Sequence, residues 1–129
     1  MDNLKIYCMC LDDTYLEAVK KLNYIPVGLK NKNFSKEWVL DNTLINISEK
    51  NPFYGEYTFY YWYWKNILKY KKKNEWVGFC SYRELWANKK ETKDKTSMES
   101  LLRVFPQEWN NYETIIGEPI FLEKPKVSK

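Results

Sequence analysis

The chain has no histidine among its 129 residues, and that absence removes more chemistry than any residue present. Ser-His-Asp and Cys-His nucleophile systems, H-E-x-x-H zinc hydrolases and imidazole acid–base catalysis are excluded, since each needs a ring nitrogen as ligand or proton carrier. Chemistry is left to carboxylates, Lys, Arg, Tyr or the substrate itself. Cysteine is scarce: Cys8, Cys10 and Cys80. The odd count and the closeness of Cys8 to Cys10 argue against a disulfide framework. Three thiols without an imidazole do not complete a zinc site, so these residues read as small buried hydrophobes of a reducing compartment. Neither G-x-G-x-x-G nor a P-loop pattern occurs, so no dinucleotide or P-loop site is signalled. Asp-x-Asp is missing as well, and Asp12-Asp13 is the one adjacent acidic pair able to hold a divalent ion. No apolar run approaches the roughly 20 residues that span a bilayer. The start MDNLKIYCMCLDD lacks the basic-then-apolar order of a signal peptide. The expectation is a soluble, cytoplasmic chain with no transmembrane segment.

What is there is the composition of a globular protein, 44% hydrophobic and 18% aromatic. The length suits one domain over residues 1–129, with a loose polar tail at 123–129. The net charge of +4 comes largely from lysine. It serves solubility, or attraction to a phosphate-bearing partner such as a nucleotide-sugar, an anionic lipid face or nucleic acid.

Leu4 to Leu11 (LKIYCMCL) is a nearly continuous apolar run, the pattern of a strand buried on both faces of a parallel sheet. Asp12, Asp13 or Thr14 could cap a helix over Tyr15 to Leu22. Tyr24 to Leu29 reads as a second strand, interrupted by Pro26. Strand, helix, strand opens an α/β unit. Glu37 to Leu40 is ambiguous, and Asp41 to Lys50, rich in Asn and Ser, is a loop. Asn51-Pro52 starts a helix, with Asn at the N-cap and Pro at the first helical position. Tyr57, Tyr60, Tyr61, Trp64, Ile67 and Leu68 follow at three- and four-residue spacing, which predicts one helix to about Lys71. Lys69, Lys71, Lys72 and Lys73 would then complement its C-terminal dipole. Glu75 to Cys80 is a further buried strand. Residues 87–97 predict a mobile charged loop, Met98 to Val104 a short helix, and Thr114 to Leu122 a last strand.

In open α/β sheets, ligands bind beyond the carboxyl ends of the strands. Three polar groups belong there: Asp12-Asp13, the loop Asn42 to Asn51, and Ser81-Tyr82-Arg83. The amino end of the long helix adds unpaired N–H groups, and Lys50 and Arg83 could add charge-assisted bonds, which together suit a phosphorylated ligand. Asn42, Asn46, Ser48 and Asn51 equally suit turn and capping roles, and Glu56 equally suits the helix dipole alone. The tyrosines and tryptophans are core or interface first.

The stretch DNTLINISEKNPFYGEYTFYYWYWKN, followed by EWVGFCSYRE, resembles the signature of a bacterial glycosyltransferase-like family found in capsule and exopolysaccharide gene clusters and long catalogued as a domain of unknown function. The shared pattern takes in Asp41, Asn42, Thr43, Asn46, Ser48, Lys50, Asn51, Pro52, Tyr54, Glu56, Thr58, Trp62, Trp64, Tyr82 and Arg83. The chain looks like the N-terminal half of such proteins, with Gly55, Ser81 and Glu84 standing where relatives often carry Cys, His and Arg.

The resemblance implies an α/β, mostly parallel sheet flanked by helices, akin to a truncated GT-A-like nucleotide-sugar-binding domain. It implies a nucleotide-sugar donor, a glycan or lipid-linked acceptor, and transfer in capsule, exopolysaccharide or lipopolysaccharide synthesis. Asp41, Asn42, Asn46, Ser48, Lys50, Asn51, Tyr54 and Tyr82 would bind donor. Arg83 with Lys50 would neutralise the leaving diphosphate, and Glu56 would act as base or sugar-hydroxyl ligand. Mn or Mg could accompany the donor, with no protein metal ligands assigned. Peripheral membrane association and a homo-oligomer are compatible with the chain. The rival expectations are a non-catalytic sugar- or nucleotide-binding or partner-docking module, and a nucleic-acid-binding protein. Lysines gathered at a helix end and aromatics in a core period argue against the last.

Overall fold

Residues 3–29, 33–87 and 98–117 are described by the structure, a computed structural model. The apolar run after Asn3 forms strand β1 (Leu4–Cys10), followed by helix α1 (Leu16–Lys21) and strand β2 (Ile25–Gly28). Asp12 accepts a hydrogen bond from the Thr14 N–H at 2.8 Å, capping a 3-10 turn that leads into α1. The ambiguous segment supplies a two-residue strand, β3 (Val39–Leu40), and EWVGFCS gives β4 (Trp76–Ser81). The sheet order is β3-β2-β1-β4 and every pairing is parallel, so the fold is α/β as the apolar runs predict.

Alternation along β1 sends Ile6, Cys8 and Cys10 to one face of the sheet, and Tyr7 and Met9 to the other. The first face packs against Leu16 and Val19 of α1, with Trp38, Leu101 and Leu102. The second face packs under Phe59, Trp62 and Tyr63. All three cysteines are free and buried. Hydrogen bonding to Cys8, followed by burial, holds the Cys10 thiol far above its ordinary range.

The single long helix expected from Pro52 to Lys71 is broken. Helix α2 (Asn51–Tyr54) stops at Gly55, whose φ of 53° and ψ of −129° leave helical space, and α3 (Tyr57–Asn66) starts afresh. A 3-10 turn, Leu68–Tyr70, follows, so the lysine run lies past the helix end and only Lys65 sits in its last turn. Asn51 does not act as an N-cap acceptor. It lies buried within the first turn, its Nδ2 donating to the Gly55 carbonyl (2.9 Å) and to Thr58 Oγ1 (3.1 Å). Those bonds hold the corner between α2 and α3.

Met98–Ser100 is only a 3-10 turn. Beyond it the backbone pairs elsewhere: Leu101 bridges Ala87, and the Leu102 N–H donates to the Trp86 carbonyl at 2.9 Å. Tyr24 Oη, donating to the Leu102 carbonyl at 2.5 Å, staples this segment to the core. Residues 114–117 form no strand, and the rest of the expected 114–122 strand lies outside the described residues, as do residues 88–97 and the tail.

Candidate functional site

Because all four strands run the same way, their carboxyl ends share one edge. A cleft of about 370 Å³ opens there. Met9, Leu11 and Leu29 come from the ends of β1 and β2, Asn51, Pro52, Gly55 and Glu56 from the α2–α3 corner, and Ser81, Tyr82 and Arg83 from the end of β4. Four residues expected to bind or act on a ligand, Asn51, Glu56, Tyr82 and Arg83, therefore come together from two separate parts of the chain.

Arg83 is exposed and held from one side. Its Nε donates to Tyr82 Oη at 2.9 Å, and its guanidinium carbon lies 5.3 Å from the centre of the Tyr82 ring. The Tyr82 ring is itself packed on Tyr15, centroids 4.4 Å apart. Among the described residues no carboxylate pairs with Arg83. A guanidinium fixed by an aromatic neighbour but left without a counter-ion is prepared for an anion. Glu56 follows the Gly55 turn, and Tyr60 Oη approaches its Oε2 at 3.5 Å. Burial, then the Glu56 charge, pushes the Tyr60 hydroxyl up to about 12, so it stays a neutral donor.

The other expected ligands are placed differently. Asp41 is fully buried, its Oδ2 accepting from the Thr58 hydroxyl at 2.5 Å. It stands beneath α3, where no ligand reaches it. Burial raises its carboxyl above the ordinary value, against the Thr58 hydrogen bond, which lowers it. Asn46 folds on its own loop: its Oδ1 accepts from Ser48 N–H (3.2 Å) and Ser48 Oγ (3.0 Å), and its Nδ2 donates to the Leu44 carbonyl (2.9 Å). Asn46 and Ser48 are thus turn residues of the kind their composition allowed. Asn42 is half-buried beside Asp41, and Lys50 is exposed; neither lines the cleft. Tyr54 is exposed on an aromatic surface outside the cleft. The anion site expected at the amino end of a long helix is absent, since α2 has only four residues.

The pair Asp12-Asp13 does not fit a metal. Asp12 caps the 3-10 turn, and Asp13 Oδ1 accepts from the Ser35 N–H (3.2 Å) and Trp38 Nε1 (2.6 Å). Those bonds, the Ser35 backbone first, lower the Asp13 carboxyl. Among the described residues no group of three or more His, Cys, Asp or Glu side chains could hold a metal ion. Met9, Leu11, Leu29 and Pro52 were not foreseen as cleft residues. The first three follow or end parallel strands, which was a usable signal.

The family model described as "Domain of unknown function (DUF4422)" matches residues 5–126, and the chain belongs to that family. No curated protein and no solved structure matches it.

Proposed function

We propose that this DUF4422 domain binds a nucleotide-sugar donor in the strand-end cleft, for glycosyl transfer in capsule, exopolysaccharide or lipopolysaccharide synthesis. The observation that carries the reading is Arg83, a cleft guanidinium braced on Tyr82 with no described carboxylate partner. Its position at the carboxyl end of β4 is where parallel α/β sheets take nucleotides and phosphates. In transfer, the acceptor hydroxyl oxygen bonds to the anomeric carbon as the bond to the diphosphate breaks. Negative charge then collects on the diphosphate, beside Arg83, and the hydroxyl proton passes to Glu56. Ser81 and Tyr82 supply neutral polar groups around the donor, and Asn51 holds the corner that forms one wall of the cleft. No step is assigned to a metal.

Among the described residues Glu56 is the only carboxylate lining the cleft. That single group also suits the alternative, a binding module that does not turn donor over. Calorimetric titration of UDP- and GDP-sugars, with and without Mn²⁺ or Mg²⁺, tests the site. Binding should weaken at least tenfold in Arg83→Ala; equal affinity in both proteins defeats the reading. Glu56→Gln should keep binding and lose transfer, whereas a wild-type chain that binds donor without ever transferring it selects the non-catalytic alternative.

A further inference from the structure

We propose that the outer face of α3 seats this domain on an anionic bilayer surface, independently of what the cleft binds. Helix α3 is apolar on two sides. Phe59, Trp62 and Tyr63 fill the core. Tyr57, Tyr61 and Trp64 recur at i, i+4 and i+7 on the opposite side, where Tyr57 is 70% exposed and Trp64 55%. With Ile47, Tyr54 and Tyr60 they line a shallow hollow. A helix apolar all round belongs in an apolar setting on both sides, and the fold covers only one.

Two further apolar side chains stand exposed on the segments that lead to α3. Phe53 is 87% exposed and Leu44 74%. Leu44 is also held at φ 50°, in left-handed space that a leucine occupies only at a cost. Its loop is anchored to the end of α3: Asn66 Oδ1 accepts from the Ile45 N–H (3.3 Å) and Asn66 Nδ2 donates to the Ile45 carbonyl (2.9 Å). The structure thus holds an exposed leucine in place where burial would be the ordinary solution.

Charge identifies the occupant. From Tyr57 to Asn74 the chain carries five lysines and no Asp or Glu; Lys71 and Lys73 line a separate cleft with Leu4 and Trp76, which leaves Lys65, Lys69 and Lys72 to this face. Lys65 Nζ sits 3.9 Å from the Trp64 ring centre, placing a cation at the edge of the aromatic face. Tyr and Trp favour the boundary between lipid headgroups and acyl chains, exposed Leu and Phe side chains enter the chains, and lysines meet lipid phosphates. A second copy packed on the same face would bring two lysine runs together. Single-stranded nucleic acid would leave Leu44 and Phe53 exposed beyond its phosphates.

The test is co-sedimentation of the full chain with vesicles of phosphatidylcholine alone, or with about one-third phosphatidylglycerol. Retention should be at least tenfold greater on the anionic vesicles and fall with added salt. The exposed-site variant Lys69→Glu/Lys72→Glu should abolish that preference with unchanged circular dichroism. Tyr57→Ser/Trp64→Ser should lower retention at any salt. Equal retention on both vesicles, or none on either, overturns the proposal. So does concentration-dependent dimerisation that Trp64→Ser removes, or retention on the vesicles lost only when single-stranded DNA is added.

Discussion

Residues 41–51 and residues 81–83 are both polar and both follow a parallel strand, yet they turn opposite ways. After β3, the Asp41 carboxylate and the Asn51 amide point into the protein and meet on the Thr58 hydroxyl, while Asn46 closes on Ser48. After β4, Ser81, Tyr82 and Arg83 open into the cleft. The cause is what lies above each. Helix α3 covers Asp41 and Asn51 at the two ends of the first segment, so their polar groups had to find partners within the fold or carry a desolvation penalty. Past the end of β4, Ser81 and Tyr82 are half-buried and Arg83 is exposed, so their polar groups keep access to water. A dense polar run therefore marks a self-bonded corner here, and a lone Tyr-Arg pair at a strand end marks the open site.

If that contrast is right, the largest stability loss follows from Thr58→Val. Valine keeps the volume, but the buried Asp41 carboxyl and Asn51 amide lose their shared partner. Asp41 Oδ1 and Asn51 Oδ1 already have no hydrogen-bond partner among the described residues, so little reserve exists to absorb the change. A loss of about 3 kcal/mol is expected, since unpaired buried polar groups carry their full desolvation cost. Urea unfolding should show it as a lower midpoint at constant slope. A loss below about 1 kcal/mol would mean the corner is not held by this network.

Gly55→Ala should cost about 1–3 kcal/mol for a different reason. A Cβ built there meets nothing within 4 Å, so no clash contributes. The cost is conformational alone, from φ 53° and ψ −129°. An unchanged urea midpoint would show that α2 and α3 can join into one helix.

That break was the part of the fold hardest to read. The strands were legible because LKIYCMCL and WVGFC are apolar on both faces, as parallel strands under helices must be. The helix pattern misled because Tyr57, Tyr60, Tyr61 and Trp64 keep helical spacing whether or not Gly55 interrupts the backbone before them. Tyr57, Tyr61 and Trp64 also share a face that periodicity alone assigns to the core, yet the core lies on the other side. Within the site, the strand-end rule located Tyr82 and Arg83. Polarity could not say which way Asp41 or Asn46 points, because turning inward depends on what the chain places above them, and that is a tertiary fact.

The pH dependence of Asp41 is a smaller effect with a definite sign. Burial raises its folded carboxyl above the unfolded value, so the folded state holds the proton more tightly. Its contribution to stability is thus greatest in acid and is lost as pH rises from about 4, the ordinary carboxylate value, through the raised folded value. Asp41→Asn removes the titration while keeping an oxygen for Thr58. Wild-type stability measured against Asp41→Asn should decline as pH rises through that window. A difference that grows with pH instead would show an ionised carboxylate stabilised at the corner.

The smallest expected stability change belongs to Arg83→Ala, and it decides the other half of the contrast. Arg83 is exposed, and its one described side-chain hydrogen bond is to the neighbouring Tyr82, so folding should shift by no more than about 0.5 kcal/mol. Its cost should appear in binding, where a charge-assisted contact to a diphosphate is worth about 1.5–3 kcal/mol, tenfold or more in affinity. Thr58→Val should show the reverse order, a large loss in folding and little in affinity for whatever fraction stays folded. Paired measurements of urea midpoint and donor affinity on both variants place each residue on one axis. An Arg83→Ala protein that unfolds early while its remaining folded fraction binds donor normally would make Arg83 part of the framework, and the cleft would lose its anion-binding group.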